Sequence, residues 1–257
     1  MPYALITGAS KGIGKAIAFE LASRNYDLLL TARSAELLKE VAEEIEKGYQ
    51  VKVFYFVADL AAKDATQQLF DWCSIYSFDL KVLVNNAGFG MSGKFESNSL
   101  EENTEMIQLN AVVPTQLCQL FLPILKKNTP SYILNIISTS AYQAVPLLGI
   151  YAATKAYLLS FSRAISHELK PQGISVTALS PGPTDTEWIH RAKITGKALQ
   201  MANKVNMQPY EVASIAVKAM FAGKTEEVTG FLNKAGAFFA WLLPKKLVES
   251  TTVKMYK

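Results

Sequence analysis

The chain has 257 residues, half of them apolar and 19% charged, so a large core can be buried and disorder is disfavoured. Its net charge of +4 is spread along the chain in pairs such as Lys126-Lys127 and Lys245-Lys246, which suits an anionic ligand and not a nucleic-acid footprint. The two cysteines (Cys73, Cys118) and two histidines (His167, His190) are isolated, which argues against a metal centre and favours buried reduced thiols over a disulfide.

In chain order, the first strand is expected at Tyr3–Thr7, close enough to the N-terminus to leave no room for a signal peptide. No apolar run reaches the ~20 residues of a membrane span, so the expected location is the cytoplasm. A glycine-rich turn and a helix to about Arg24 follow. Asp27–Ala32 reads as the second strand. Leu37, Leu38, Val41 and Ile45 then mark one helix face, with Gly48 as its C-terminal cap. Next come strand Val51–Val57, helix Ala65–Ile75, strand Lys81–Asn85, a long helix over about Leu100–Lys126 and strand Tyr132–Ser138. The helix carrying Tyr151, strand Ile174–Leu179, a helix near Pro209–Ala222 and a last strand near Val228–Leu232 complete the pattern. Apolar strands alternating with helices predict an α/β three-layer Rossmann fold over residues 1–257. Its doubly wound parallel sheet would have about seven strands, with helices on both faces. Ligands gather at the carboxyl ends of such strands.

The first turn, Thr7-Gly8-Ala9-Ser10-Lys11-Gly12-Ile13-Gly14, has the strand–turn–helix setting in which glycines admit a pyrophosphate to a helix N-terminus. It lacks the Gly-Lys-Ser/Thr ending of a P-loop. At the end of the second strand the chain reads Thr31-Ala32-Arg33-Ser34, with Ala32 where an acid would bind the ribose hydroxyls of NAD. Arg33, with Lys11, suits the 2′-phosphate of NADP(H); two solvated surface cations are the plainer reading.

Tyr151-Ala152-Ala153-Thr154-Lys155 opens a long amphipathic helix. Residues four apart share a face, so the ammonium can stabilise the phenolate and tune it for proton transfer.

With these pieces placed, the chain resembles the short-chain dehydrogenase/reductase family over nearly its whole length. The motifs that carry the resemblance are the turn at 7–14, Asp59-Leu60, Asn85-Asn86-Ala87-Gly88, Asn110, Ser138, the Tyr151/Lys155 pair and Pro181-Gly182 with Thr184 and Thr186. The resemblance implies NADP(H)-dependent hydride transfer at a carbonyl or secondary alcohol, with Asn110, Ser138, Tyr151 and Lys155 catalytic. Ser140 is the alternative serine. It also implies cofactor contacts at Gly8, Ser10, Lys11, Gly12, Ile13, Gly14, Arg33, Asp59, Leu60, Asn86, Ala87, Gly88, Tyr151, Lys155, Pro181, Gly182, Thr184 and Thr186. No metal is expected. A homodimer or homotetramer through the helices after the fourth and fifth strands is.

Substrate contacts are expected from a lid at about 185–207, which includes Glu187, Trp188, Ile189, Met201 and Met207. Phe89, Met91, Tyr142, Val145, Leu147 and Leu148 would form the other wall. A hydrophobic ketone, a 3-oxoacyl compound or a secondary alcohol fits. The apolar tail, Ala235 to Leu243 followed by Pro244-Lys245-Lys246, reads as a pocket cap, a subunit contact or a membrane-surface anchor. In this tail the chain is similar to long-chain 3-oxoacyl reductases and uncharacterised bacterial reductases. A non-catalytic NADP(H)-binding redox sensor is the alternative function.

Overall fold

Short apolar runs bounded by glycine or polar turns form the strands. In the computed structural model, which describes residues 1–75, 78–186, 192, 199 and 206–256, these are β1 (Tyr3–Thr7), β2 (Asp27–Ala32), β3 (Val53–Val57), β4 (Leu80–Asn85), β5 (Ser131–Ile136), β6 (Ile174–Ser180) and β7 (Glu226–Val228). They pair in parallel in the order β3-β2-β1-β4-β5-β6-β7. The winding reverses between β1 and β4, which opens a crevice at their carboxyl ends.

The helices are α1 (Gly12–Ala22), α2 (Ala35–Gly48), α3 (Ala65–Ile75), α4 (Leu100–Ile107), α5 (Val113–Lys127), α6 (Gly149–Leu169), α7 (Pro209–Phe221), α8 (Phe231–Leu242) and α9 (Lys245–Tyr256). On one face of the sheet Ile17, Leu21, Leu38, Ile45 and Val217 of α1, α2 and α7 form a buried core. On the other, Leu69, Leu117, Phe121 and Tyr151 of α3, α5 and α6 form a second. Interior strand β2 is buried at every position, as a strand covered on both faces must be; edge strand β3 leaves Tyr55 and Val57 exposed. Each fully buried Leu or Ile contributes about 1.5–3 kcal/mol of transfer free energy. The sheet frame is therefore rigid enough to hold loop residues in place.

Several boundaries differ from expectation, each for a local reason. The long helix is α4 and α5 joined by a five-residue π-turn, Gln108–Val112. Pro114 has no N–H, so the Asn110 carbonyl lacks the donor that a regular α-helix would supply at i+4. Within the continuous helical stretch Leu100–Lys127 one 18-residue window reaches a mean hydropathy of 1.2, enough by length and composition alone to cross a membrane. Here it packs on the sheet, with Phe121 and Leu125 fully buried. Gly48 ends α2 but is no left-handed cap, because the chain leaves through extended Tyr49. Gly230, at φ +80°, ends the last strand region early, so Phe231 starts a helix and not a strand end. Strand β5 stops at Ile136, which leaves Ser138 in the loop beyond it. Both cysteines are free and buried.

Candidate active site

The β1–α1 turn is built for close approach. Gly8 and Gly12 have φ of +66° and +59°, a region costly for residues with a Cβ. A Cβ on Gly14 would stand 2.3 Å from the Gly8 carbonyl oxygen and 2.4 Å from Asn86 Nδ2, so only glycine lets α1 sit this close. Thr7 Oγ1 accepts from the Asn86 and Ala87 N–H groups at 2.9 and 3.0 Å. Asn86 Nδ2 donates to the Thr7 and Gly8 carbonyls at 2.9 and 3.1 Å. Asn85 Nδ2 donates to Asn135 Oδ1 at 2.8 Å and links β4 to β5. Asn86 thus spends its amide on the turn and contributes a wall.

This turn opens into a cavity of about 1340 Å³, larger than the roughly 300–1,000 Å³ typical of a single small ligand. Of the expected cofactor residues, Gly8, Ser10, Lys11, Gly12, Ile13, Arg33, Asp59, Leu60, Asn86, Ala87, Gly88, Tyr151, Lys155, Pro181, Gly182, Thr184 and Thr186 line it. Gly14 does not; it packs α1 on the turn. The donor set fits a dinucleotide. No side chain caps the N-terminus of α1, and its first turn holds no acid, so its N–H groups and partial positive charge face the cavity for an anionic group. At the end of the cavity next to β2, Arg33 is half-exposed and bracketed by Asp59 and Glu105 at 3.7 and 3.8 Å. These are loose ion pairs, so the guanidinium is contested by two carboxylates, which the sequence pattern did not show.

At the other end, Lys155 and Tyr151 are both buried. Lys155 Nζ donates to the Ile136 carbonyl at 2.8 Å and lies 5.8 Å from the Tyr151 ring centroid. Burial lowers its pKa to about 8, since desolvation disfavours the ammonium. Ser138, at the start of the 3-10 turn Thr139–Tyr142, lines the cavity and its Oγ accepts from the Ser140 N–H at 3.2 Å. Ser140 also lines it, but its Oγ is buried without a partner among the described residues.

Asn110 stands behind this group and outside the lining. Its Oδ1 accepts from the Phe89 N–H at 3.0 Å. Its Nδ2 donates to the Phe89 carbonyl at 2.8 Å and to Thr154 Oγ1 at 3.2 Å. Its side chain is therefore fully engaged in holding the strand-end loop against α6.

Beyond Ser138 the lining becomes apolar. Val145, Leu148 and Tyr142 line the cavity together with Leu232, Phe239, Leu247 and Val248 from α8 and α9 and Leu243 from the turn between them. Phe89 is buried core, while Met91 and Leu147 lie outside the lining. Gln143, Thr251 and Thr252 also line it, and Gln143 Nε2 donates to Thr252 Oγ1 at 3.0 Å, tying α9 across the cavity. Sequence reasoning missed these α9 residues, since an isolated Thr pair in a C-terminal helix carries no signal. Tyr142 donates to Glu226 Oε1 at 2.6 Å, and burial, then this bond, pushes its pKa up. Of the expected lid, Glu187, Trp188, Ile189 and Met201 lie outside the described residues. Its two ends meet: Thr184 bridges to Met207, and the Asp185 N–H donates to the Met207 carbonyl at 2.9 Å.

The profile of the short chain dehydrogenase family matches residues 2–196. The chain belongs to this family. Among curated members it is 33% identical over 198 residues to Hydroxysteroid dehydrogenase-like protein 1 of Gallus gallus, a match covering 76% of this chain and 59% of that protein. It is 31% identical over 259 residues to Very-long-chain 3-oxoacyl-CoA reductase-B of Danio rerio, covering 98% and 79%. The chain thus spans about three-fifths of the chicken relative. Among solved structures, a short-chain dehydrogenase from Sphingobium yanoikuyae in complex with NADPH superposes with a TM-score of 0.83 at 29% identity, over 94% of each chain. The family assignment makes this chain an oxidoreductase acting on CH-OH or C=O groups.

Proposed function

We propose that the chain is an NADP(H)-dependent carbonyl reductase, reversible as an alcohol dehydrogenase, for a hydrophobic ketone or 3-oxoacyl compound. The observation that carries this reading is the convergence of Ser138, Tyr151 and Lys155 on the cavity where its polar, glycine-lined part meets its apolar part. NADPH, when bound, supplies the hydride to the carbonyl carbon.

The residues would hold it as their chemistry dictates: the α1 N-terminus takes the diphosphate, Arg33 and Lys11 the 2′-phosphate, and Lys155 Nζ the nicotinamide ribose. Ser138 Oγ donates to the substrate oxygen and orients it. Tyr151 Oη delivers a proton to that oxygen as charge develops there. The buried Lys155 ammonium favours the resulting phenolate. Asn110 acts as a positioning residue: its amide side chain is spent on Phe89 and Thr154, so any water serving a proton relay to Lys155 is held by the distorted turn itself. The helices α8 and α9 close the apolar end against water, and the half-exposed Ile107 and Tyr157 suit the proposed homodimer or homotetramer through α4–α6.

Consumption of NADPH, followed by its absorbance across ketones, aldehydes and 3-oxoacyl thioesters, tests the reading. Turnover by wild type and its loss in Tyr151→Phe support it. Tight NADPH binding with no turnover on any of them would instead favour the sensor.

A further inference from the structure

Helix α8 lies between two apolar surroundings. It is fastened to the body: Ala240 is buried, Asn233 Nδ2 donates to the Thr229 carbonyl at 2.8 Å, and the exposed Lys234 reaches the buried Glu227. Its outer face carries Phe231, Phe238, Trp241 and Leu242, exposed by 83, 54, 74 and 55%. None of these four lines the cavity. The rings of Phe238 and Trp241 lie 6.0 Å apart, so the patch is contiguous, and clustered exposed aromatics of this kind mark an interaction surface.

The C-terminal end of the patch is basic: Lys245 and Lys246 follow Leu242 before Glu249, while Lys234 is already paired with Glu227. A second copy docked about a two-fold axis would set α8 against itself, bringing Lys245 and Lys246 of one copy towards the same lysines, or towards the positive N-terminal end of α8, in the other. An aromatic helix rimmed by lysines instead matches the boundary layer of an anionic bilayer, where rings sit among the headgroups and lysines meet lipid phosphates. At 12 residues and 1.5 Å per residue the helix is about 18 Å long, too short to span, so it would lie in the surface plane.

We propose that the outer face of α8 docks on an anionic phospholipid surface. The apolar end of the cavity then lies one helix thickness, about 10 Å, from the lipid, and α8 serves as both membrane contact and cavity wall. A water-insoluble substrate dissolved in the bilayer would reach the cavity beside α8 without crossing bulk water.

The test is co-sedimentation of the full chain with vesicles of phosphatidylcholine alone and of phosphatidylcholine mixed with phosphatidylglycerol, alongside circular dichroism, a melting curve and light scattering. Wild type is expected to bind the mixed vesicles at least roughly tenfold more tightly than the neutral ones, given the effect of each surface lysine. The triple variant Phe238→Gln/Trp241→Gln/Leu242→Gln should lose binding to both while keeping its melting midpoint and its turnover of a water-soluble ketone. Lys245→Gln/Lys246→Gln should lose only the preference for anionic lipid. The proposal is overturned if wild type stays in the supernatant with both vesicles, or if the triple variant binds like wild type. It is equally overturned if the triple variant turns a dimer into a monomer while wild type ignores lipid, which would assign the face to a second copy.

Discussion

The two ends of the cavity are made in different ways. The end proposed to take the nucleotide is made mostly of backbone: Gly8 and Gly12 with Gly14 packed behind them, and the N–H groups of Asn86 and Ala87 held by Thr7 Oγ1, all within a few residues of a strand end. The substrate end is made of side chains from segments far apart in the chain, Val145 and Leu148 against Leu247 and Thr252. A backbone site permits few substitutions, because each Cβ added is a clash. A side-chain site can be reshaped by any substitution that keeps it apolar. The first end defines a family reaction, and the second leaves the substrate open to variation.

The sharpest way to break this division is Tyr151→Phe. Loss of the proton donor should lower turnover by roughly 10³-fold, with NADPH affinity, followed by fluorescence titration, nearly unchanged. Comparable losses in both would show that the phenol holds the cofactor and does not only move a proton.

At the nucleotide end, Gly14→Ala places a Cβ 2.3 Å from the Gly8 carbonyl oxygen. A cost of about 1–3 kcal/mol in denaturant unfolding and a collapse of NADPH binding are expected. A variant as stable and as tight-binding as wild type would mean that α1 can shift away, and that the turn is less rigid than its hydrogen bonds indicate. Arg33→Ala should weaken NADPH about ten- to a hundredfold, as loss of a charge-assisted contact does, and leave NADH little affected. Equal losses would assign Arg33 to its ion pairs with Asp59 and Glu105.

Lys155 gives a prediction in pH. Its pKa is lowered in the folded chain from 10.5 to about 8, so between these values the unfolded chain binds more protons and stability rises with pH. The contribution is full above 10.5 and lost as pH falls to about 8, below which the buried ammonium costs most. Lys155→Met should therefore melt higher than wild type at pH 7, with the advantage gone above the upper value, while turnover is lost. A lower melting point at pH 7 would show that the Ile136 hydrogen bond outweighs desolvation. The smallest effect is expected at the substrate end, where Thr252→Val breaks the bond to Gln143. It should raise KM for extended apolar substrates a few-fold, with kcat nearly constant, at about 1 kcal/mol of stability.

Most strands, and α3 to the residue, were legible because apolar runs of five or six residues between glycine or polar turns have one economical use in a parallel sheet. Irregular positions were less so. The π-turn at Gln108–Val112 depends jointly on Pro114 and on Asn110 reaching Phe89, a residue 21 positions away in the chain. The last strand was misplaced because Val228, Phe231 and Leu232 read as one β-prone run, and only Gly230 at positive φ divides strand from helix.

By itself, the sequence determined the sheet class, the glycine turn and the Tyr151/Lys155 pair, because these rest on spacing along one strand end or one helix face. Tertiary structure alone decided that Gly14 and Asn110 support the site from behind, that Arg33 is shared with Asp59 and Glu105, and that α8 and α9 close the apolar end. The physical reason is range: a turn or helix face is set by neighbours in the chain, whereas contested charges and composite walls exist only once distant segments pack together.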